Sequence, residues 1–375
     1  MSSNTPNRAF VLAGGGTGGH IFPNLAIAEQ LGSLLGRRPR CVFAVSRRAL
    51  DAQILRDESR EFEAIPAEPF SLRPRGLLKF LGSWGASVRA ARAMIQKLRR
   101  EHGQVDVVAT GGFVSAPVAQ AARVERVPVT LVNLDATPGR ANRWIARHAA
   151  RVFTAAETPG VNWPVIRPIV RAAAMAPGDA RACRTKLGLD PDRPVLLVTG
   201  ASQGAGSINK LLVALIEKHA ADFVSRGWQV VHQTGPRTGA KDIDDSRAAL
   251  KSAGIPAVVE AFFREMGVAW GAAELAISRS GAGSVAEAWA NATPSVFLPY
   301  PYHKDQHQRA NAAGLVRAGA CVIEDDLVDA EQNLARAGAA VLSLMRDDAK
   351  RGAMKAALQS LGPADGARAV ATALL

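Results

Sequence analysis

Short apolar runs alternate with amphipathic stretches along the chain, and they form two series. The first series lies at 9–13, 41–45, 105–109, 127–132 and 151–154. The second series lies at 194–198, 228–232, 257–259, 274–278 and 295–299. Strand-length apolar runs separated by stretches of helical period are typical of parallel sheets covered by helices. The pattern therefore predicts an α/β protein with two doubly wound, Rossmann-like halves that face a central cleft.

The segment 158–171 separates the two series. It reads "TPGVNWPVIRPIVR" and holds three prolines without a clean hydrophobic period, which is typical of a linker. We therefore expect a first domain over residues 1–165 and a second domain over residues 166–359. The length of 375 residues also favours two domains, because single hydrophobic cores stop growing at about 250–300 residues.

Each half opens with a strand, a glycine-rich turn and a helix. The first turn is "AGGGTGGH" (13–20) and the second is "TGASQGAG" (199–206). Glycine leaves room for a ligand and a helix N-terminus attracts anions, so both turns suit a phosphate or a polar oxygen. A third turn, "SRSGAGSVAE" (278–287), carries Glu287 in its helix, where a carboxylate suits a ribose diol. Phosphate on a glycine turn and ribose on an acid together indicate a nucleotide.

The first turn also permits a different interpretation. Gly14, Gly16 and Gly19 satisfy the dinucleotide-binding pattern G-x-G-x-x-G. That pattern requires an acid after the second strand, where this chain has Arg47 and Arg48, which an NADP site could use. An NADP oxidoreductase is therefore an alternative, but it leaves the second glycine turn and Glu287 without a role.

Charge and cysteine content narrow the classes of function. The net charge is +13, and residues 1–170 hold 23 Lys and Arg against 12 Asp and Glu. A basic half predicts an anionic partner: a nucleic acid, a phospholipid headgroup or a phosphorylated substrate. The three cysteines lie far apart without metal-ligand spacing, which indicates a reduced, cytoplasmic setting. No run approaches the ~18 apolar residues that span a bilayer.

Seven stretches resemble the MurG family of bacterial glycosyltransferases. They are "GGTGGH" (15–20), "GGFVSAP" (111–117), "PGRANRW" (138–144), "GASQGAGSIN" (200–209), "HQTG" (232–235), "SRSGAGSVAE" (278–287) and "HKDQHQRANA" (303–312). Their order and spacing carry the resemblance, which covers most of the chain. It implies a GT-B fold and an inverting transfer of N-acetylglucosamine from UDP-GlcNAc. The implied acceptor is the C4 hydroxyl of the muramoyl sugar of lipid I, and the product is lipid II for peptidoglycan.

The resemblance also implies partners and a location. The partners are UDP-GlcNAc, a lipid-linked muramoyl-peptide acceptor and an anionic membrane surface, with no nucleic acid. The protein would lie peripherally on the cytoplasmic face of the cell membrane, and its last helix, at about 360–375, would pack back onto the first domain. No cofactor and no metal are expected, because the spacing of His303, Asp305 and His307 is too loose for a metal site. The alternative function is a GT-B transferase that uses a UDP-sugar on a different lipid or glycan.

By resemblance, most of the donor contacts fall in the second half. Ser202 and Gln203 would meet the nucleotide, and the backbone of Phe263 would pair with the uracil. Glu287 would hold the ribose, and Arg171 would lie near the diphosphate. The full predicted donor set is Thr17, Gly18, Gly19, Asn142, Arg171, Ser202, Gln203, Gly204, Phe263, Ser284, Glu287 and Gln308.

His20 is the predicted general base. It lies at a helix start, where the helix dipole would lower its pKa and keep the ring neutral, although it could also merely cap a tight turn. The family usually carries "HEQN" just before the "PG..N" stretch, whereas this chain has "VNLD" at 132–135. Asp135 is therefore the alternative base, and the altered segment leaves the identity of the acceptor open.

Residues 70–100 combine apolar and basic side chains in a helical stretch. The predicted apolar membrane contacts are Leu77, Leu78, Phe80, Leu81 and Trp84, and the predicted basic contacts are Arg73, Arg75 and Lys79. Apolar side chains bounded by cations suit the surface of an anionic membrane. An ordinary amphipathic helix with its apolar face in the core is the alternative.

Overall fold

The computed structural model describes residues 8–236, 240–303 and 305–375, and the chain divides into two compact units. Unit 1 comprises the chain up to Arg171 together with the segment Asp365–Leu375, and unit 2 comprises Ala172–Ala364. The boundary thus falls after Arg171 rather than at 165/166, because the proline-rich segment still pairs within unit 1. Val165 forms a β-bridge with Thr154, and Ile169 forms one with Asp365.

Unit 1 is built on a six-stranded parallel sheet. Its strands are β1 (Arg8–Ala13), β2 (Arg40–Val45), β3 (Phe62–Ala64), β4 (Gln104–Ala109), β5 (Val129–Asn133) and β6 (Arg151–Thr154). Their order is β3-β2-β1-β4-β5-β6. The helices between them are α1 (Gly18–Leu35), α2 (Ala49–Asp57), α3 (Pro74–His102), α4 (Gly112–Val124) and α5 (Arg140–Ala146). The sequence pattern missed β3, which is only three residues long.

Unit 2 repeats this architecture. Its strands are β7 (Val195–Thr199), β8 (Gln229–Gln233), β9 (Ala257–Glu260), β10 (Leu275–Ser278), β11 (Ser295–Phe297) and β12 (Cys321–Ile323), in the order β12-β11-β10-β7-β8-β9. Its helices are α6 (Ala180–Lys186), α7 (Gly206–Ser225), α8 (Ala240–Ser252), α9 (Met266–Ala272), α10 (Ala282–Ala290), α11 (His307–Arg317), α12 (Ala330–Asn333), α13 (Ala339–Arg346) and α14 (Asp348–Ser360). The final helix, α15 (Gly366–Leu374), belongs to unit 1, where it packs against α1.

The strand order determines where ligands can bind in each unit. In both sheets the order reverses beside the first strand of the unit, between β1 and β4 in unit 1 and between β7 and β10 in unit 2. Ligands of such sheets bind at the carboxyl ends of the strands, at this switch point. The glycine turns after β1 and β7 both lie there, as do the loops after β4 and β10.

Helix α1 shows how the core holds these turns in place. The sequence predicts a helix here because apolar residues recur at helical spacing from Ile21 through Leu25, Ala28 and Leu31 to Leu35. The first four are buried, with at most 1% of their surface exposed, whereas Leu35 at the end of the helix is half-buried. The helix thereby packs against the sheet, and its N-terminus is fixed at the end of β1. Among the described residues, no helix combines the length and the apolar character needed to cross a membrane.

Candidate active site

The first glycine turn connects β1 to α1, and the loop after β4 packs directly against it. The backbone N–H of Thr110 donates to the carbonyl of Ala13 (3.0 Å), and the Thr110 hydroxyl donates to the carbonyl of His20 (2.8 Å). Gly112 has a φ of 77°, and a Cβ there would lie 2.7 Å from the carbonyl oxygen of Gly15 and 3.1 Å from Cδ2 of His20. Glycine at 112 therefore allows the two loops to enclose the imidazole ring.

The position of His20 leaves one ring nitrogen available as a base. Its Nδ1 lies 3.1 Å from the carbonyl oxygen of Thr110, and a carbonyl only accepts, so Nδ1 carries the proton. The lone pair is therefore on Nε2. Burial lowers the pKa of His20 below its usual 6.5, although the charges of Asp135 and Asp51 and the bond to Thr110 oppose this shift. The ring is thus neutral at pH 7, as a general base requires, and the main cause is burial.

A hydrogen-bonded group after β5 connects the altered segment to His20. The Asn133 side chain donates to the carbonyl of Asp135 (2.7 Å) and accepts from Nδ2 of Asn142 (2.9 Å). A Cβ on Gly111 would lie 3.0 Å from Oδ1 of Asn142 and 3.2 Å from Cε1 of His20. Asn142 and the half-buried Asp135 thus lie with His20 at the switch point of unit 1.

Residues at the end of β8 contact the second glycine turn, which follows β7. Gly235 has a φ of 94°, and a Cβ there would lie 2.1 Å from Cα of Gly204, so the two backbones are in direct contact. Nε2 of Gln233 donates to the Thr199 hydroxyl (3.3 Å) and to the Ala201 carbonyl (3.2 Å). These contacts fix the turn before the N-terminus of α7, the end of a helix that attracts anions.

The residues predicted to contact the nucleotide lie on and beside this turn. Ser202 and Gln203 are half-buried on the turn itself. The backbone N–H of Phe263 donates to Oε1 of Gln233 (2.9 Å), so this donor already has a partner inside the protein. Pairing of the Phe263 backbone with a uracil would therefore use its carbonyl oxygen or displace Gln233.

The third turn, after β10, leads into α10 and carries Glu287. Oε2 of Glu287 accepts a hydrogen bond of 2.8 Å from the indole N–H of Trp270, which is fully buried. Ser284 is buried one helical turn before it. The hydroxyls of Ser278 and Ser280 are buried without a hydrogen-bond partner among the residues that the structure describes. The turn thus combines an oriented carboxylate with buried hydroxyl groups.

Sequence reasoning missed a buried ion pair beneath this turn. Arg279 forms an ion pair of 2.6 Å with Asp326, and it also donates to the Ser207 hydroxyl (2.9 Å) at the start of α7. Asp326 accepts from Ser207 (2.6 Å) and from Asn333 (2.9 Å) as well. The sequence signal that could have indicated this pair is Arg279, which lies between two serines in a glycine turn. The pair connects the second turn to the third.

Two further residues of the predicted donor set are bound to neighbours in their own units. Oε1 of Gln308 accepts from the backbone N–H of Tyr300 (2.9 Å) in unit 2. Arg171 is buried in unit 1, where its guanidinium donates to Glu58 (2.7 Å) and lies over the ring of Phe22, 4.3 Å from the centroid. A contact between Arg171 and a diphosphate stays a prediction.

The predicted donor set is therefore divided between the units. Unit 1 holds Thr17, Gly18, Gly19, Asn142 and Arg171, and unit 2 holds Ser202, Gln203, Gly204, Phe263, Ser284, Glu287 and Gln308. Within unit 1, the first four lie with His20 at the switch point. Within unit 2, Ser202, Gln203 and Gly204 lie in the loop after β7, and Phe263 lies in the loop after β9. Ser284 and Glu287 lie in the first two turns of α10, and Gln308 lies in the first turn of α11.

Near α11, the rings of His303 and His307 pack against each other and against Tyr300. His303 and His307 lie with their ring centroids 4.3 Å apart, and Tyr300 lies 4.6 Å from His303. Nδ1 of His307 forms a 2.7 Å contact with Asp305. Within 8–236, 240–303 and 305–375, no group of three His, Cys, Asp or Glu side chains could hold a metal ion.

The first turns of α3 carry the predicted membrane surface. Of the predicted apolar contacts, Leu78 and Leu81 are 70% and 58% exposed, and Leu72 just before the helix is 75% exposed. Phe80 is half-buried instead, because its ring packs edge-to-face against Phe70 (5.4 Å between centroids). The remaining apolar members, Leu77 and Trp84, are half-buried, whereas Arg73, Arg75 and Lys79 are exposed. Burial in the core begins only at Ser87. The sequence did not single out Phe70 and Leu72.

Comparison with known proteins identifies the family. Residues 10–154 match the model of the "Glycosyltransferase family 28 N-terminal domain", and residues 195–369 match that of the "Glycosyltransferase family 28 C-terminal domain". A protein of Clavibacter michiganensis is 36% identical over 374 residues, covering 96% of this chain and 94% of the relative. A protein of Geobacter metallireducens is 32% identical over 379 residues, covering 96% of both chains. Both are named UDP-N-acetylglucosamine–N-acetylmuramyl-(pentapeptide) pyrophosphoryl-undecaprenol N-acetylglucosamine transferase.

Solved structures agree on the fold. MurG of Acinetobacter baumannii superposes with a TM-score of 0.70 at 24% identity, covering 98% of this chain and 99% of the other. The glycosyltransferase of kitacinnamycin superposes with a TM-score of 0.64 at 15% identity, covering 99% and 98%. The predicted two-domain GT-B fold is confirmed. The alternative interpretation, an NADP oxidoreductase, is wrong, because both matching family models are those of glycosyltransferases.

Proposed function

This chain belongs to glycosyltransferase family 28 and, within it, to the MurG transferases, and from this premise we propose its reaction. The enzyme transfers N-acetylglucosamine from UDP-GlcNAc to the C4 hydroxyl of the muramoyl sugar of lipid I, with inversion, and produces lipid II. The observation that carries the proposal is that relatives named for this transfer match 96% of the chain.

Unit 2 is the proposed site of UDP-GlcNAc. The N-terminus of α7, directly after the second glycine turn, supports this proposal because a helix N-terminus attracts the charge of a diphosphate. The third turn supplies Glu287 for the ribose hydroxyls. Because the indole of Trp270 holds one oxygen of that carboxylate at 2.8 Å, the side chain is oriented before the ligand arrives. Pre-oriented acceptors lose less conformational entropy on binding, which favours affinity for the diol.

His20 is the proposed general base. As the C4 oxygen bonds to C1 of N-acetylglucosamine, the bond from C1 to the β-phosphate oxygen breaks and its electron pair leaves with UDP. Nε2 of His20 takes the proton of the C4 hydroxyl, while Nδ1 stays hydrogen-bonded to Thr110. Attack from the face opposite UDP inverts the configuration at C1.

The charge that develops on the leaving UDP needs stabilisation, and we assign this to backbone groups. The N-terminus of α7 supplies the positive end of a helix dipole, which is fixed before the reaction and acts without reorganisation. We therefore propose that turnover requires no resident metal and no cofactor. Retention of activity after dialysis against EDTA tests this, and loss of activity that Mg²⁺ restores would contradict it.

The altered segment favours a second candidate function. Val132 and Leu134 are buried apolar side chains, and Asn133 is fully engaged with its neighbours. The positions where the family carries histidine, glutamate and glutamine thus offer an acceptor few polar contacts here. A GT-B transferase that uses a UDP-sugar on a different lipid or glycan is therefore the alternative.

We further propose that the exposed turns of α3 place the enzyme on the cytoplasmic face of the membrane as a peripheral protein. Leu72, Leu78 and Leu81 are exposed apolar side chains of this segment, and the exposed cations Arg73, Arg75 and Lys79 lie between them in the sequence. Such a surface suits the interface of an anionic membrane, where a lipid-linked acceptor presents its headgroup.

One assay separates the two candidate functions. Purified protein is incubated with radiolabelled UDP-GlcNAc and a lipid I analogue, and the labelled lipid is identified by mass spectrometry. We expect a product of lipid II mass with a β-1,4 linkage. A lipid I analogue that stays unlabelled, while a second glycolipid added as acceptor becomes labelled, would instead support the alternative. UDP-glucose serves as the control donor.

A further inference from the structure

A buried carboxylate behind the first glycine turn has no place in the reaction described so far. Asp51 lies in the first turn of α2 and is completely buried. Its Oδ2 accepts three hydrogen bonds: from the N–H of Gly16 (2.7 Å), the N–H of Ser46 (3.1 Å) and the hydroxyl of Ser46 (2.6 Å). One carboxylate oxygen thus joins the end of β2 to the glycine turn.

The side chain of Arg48 also binds Gly16. Its guanidinium donates to the carbonyl oxygen of Gly16, whose N–H donates to Asp51. The ring of Phe113 packs closely against Gly16, since a Cβ on this glycine would lie 2.6 Å from the ring. The peptide groups of Gly16 are therefore immobilised two residues before α1 begins, and His20 follows as the third residue of that helix.

The second oxygen of Asp51 distinguishes this arrangement from an ordinary turn. Oδ1 is buried and has no hydrogen-bond partner among the residues that the structure describes. A buried carboxylate without full hydrogen bonding costs free energy, and a neutral side chain could accept the same N–H groups at a lower cost. Such a cost is common where a charge serves a functional site, and the charge of Asp51 acts on His20.

We propose that Asp51 is a positioning residue for the transfer: it fixes the glycine turn that presents His20, and its negative charge stabilises the imidazolium that forms when His20 takes the proton. The proposal rests on the function assigned above. Two acidic groups act on His20, Asp135 from the loop after β5 and Asp51 from α2, and both oppose the lowering of its pKa by burial. Arg48 is a cation on the same turn, where it binds the carbonyl oxygen of Gly16.

Asp51→Asn is the test, because it keeps the size of the side chain and removes its charge. We expect kcat to fall roughly 10- to 100-fold, the usual effect of a displaced catalytic group, with KM for UDP-GlcNAc unchanged. The acidic limb of the pH–rate profile should also move to lower pH, since removal of a nearby negative charge lowers the pKa of His20. A merely structural role would lower kcat at every pH and leave the limb in place, which would overturn the proposal.

Asp106→Asn is the matched control. Asp106 is also a buried acid of unit 1, but it lies on β4 in an ion pair with Arg8 (2.6 Å). This variant should lose thermal stability without moving the acidic limb. If Asp51→Asn does not fold, Ser46→Ala decides instead, because it removes one hydrogen bond to the carboxylate and keeps the charge. A several-fold lower kcat with an unmoved limb is expected there, and an unchanged kcat would overturn the proposal.

A direct titration separates this proposal from the function on which it rests. The imidazole of His20 is followed by NMR in wild type and in Asp51→Asn, with His20→Ala to assign the signal. A lower midpoint in Asp51→Asn supports the role of the charge whether or not the assay detects transfer, and an equal midpoint overturns it. Absence of transfer by the wild type would contradict the proposed function alone.

Discussion

The indole N–H of Trp270 donates a 2.8 Å hydrogen bond to Oε2 of Glu287, and the indole itself is completely buried. The carboxylate lies in the second turn of α10, while the indole comes from α9. Removal of Glu287 would therefore have two effects, loss of a candidate ribose ligand and loss of the partner of a buried donor. A test of the ribose assignment has to separate them.

Glu287→Ala should weaken the binding of UDP and of UDP-GlcNAc equally, by about 1–3 kcal/mol, because a hydroxyl pair of the ligand loses its acceptor. Trp270→Phe is the control, since it removes the indole N–H and keeps Glu287. We expect Trp270→Phe to lower the melting temperature but to change UDP affinity by less than Glu287→Ala does. Calorimetric titration measures both. Equal UDP affinity in Glu287→Ala and wild type would refute the ribose assignment.

His20→Ala should bind UDP-GlcNAc almost normally and lose roughly 10²–10⁴-fold in kcat, the usual contribution of a general base. Because burial lowers the pKa of His20, the wild-type kcat/KM should fall only as the pH drops through a value below 6.5. That acidic limb should be absent in His20→Ala. His219→Ala, on the distant end of α7, is the control and should keep the limb.

If Asp135 is the base instead, the opposite result is expected. If Asp135 takes the proton, Asp135→Asn abolishes turnover while His20→Ala retains the acidic limb. A His20→Ala enzyme within a few-fold of wild type would show that the histidine only shapes the turn.

Leu78 and Leu81 provide the test of membrane binding, because both are exposed and their loss leaves the fold intact. Leu78→Ser/Leu81→Ser should weaken binding to phosphatidylglycerol vesicles roughly 10- to 100-fold, with an unchanged melting temperature. Trp84→Ser is the contrast: its ring lies 5.5 Å from Phe80 and 6.3 Å from Trp144, so this variant should melt at a lower temperature. Equal vesicle binding by the double variant and wild type in a sedimentation assay would exclude this surface.

The order of apolar runs was sufficient to predict the two sheets, because buried parallel strands are short, continuous and apolar. The same rule explains what was missed. Strands β3 and β12 have three residues each and carry no run long enough to be distinguished from a loop. The boundary was placed too early, because the bridges of Val165 and Ile169 depend on partners that are distant in sequence.

The site was predicted unevenly for a similar reason. His20 and Glu287 stand out because each is a titratable residue beside a glycine turn. Asp51 and Asp326 have no local signal, since their partners Gly16 and Arg279 lie on other loops of the sheet. Sequence motifs therefore predict candidate ligand contacts on the turns, whereas the buried groups behind those turns become visible only in the fold.

The buried pair of Arg279 and Asp326 yields a prediction about stability. Burial opposes ionisation of Asp326, but hydrogen bonds from Ser207 and Asn333 and the charge of Arg279 outweigh it, so the pKa of Asp326 is lower than its usual 3.8. A depressed folded-state pKa stabilises the fold above the unfolded value, and the contribution is lost as the pH falls through the folded pKa. Asp326 should therefore contribute fully at pH 7 and progressively less below pH 3.8.

Asp326→Asn should accordingly lower the melting temperature at pH 7 by roughly 6–20 °C, since loss of one partner from a buried ion pair costs about 3–5 kcal/mol. Asp222→Asn is the matched control in unit 2. Its partner Arg346 is half exposed, and exposed pairs contribute about 0–1 kcal/mol. Differential scanning calorimetry at pH 7 and at pH 3 measures both variants. The gap between Asp326→Asn and wild type should narrow at pH 3, because below pH 3.8 the unfolded wild-type chain gains stability by binding a proton at Asp326. If the two variants melt together at pH 7, the Arg279–Asp326 pair does not stabilise unit 2.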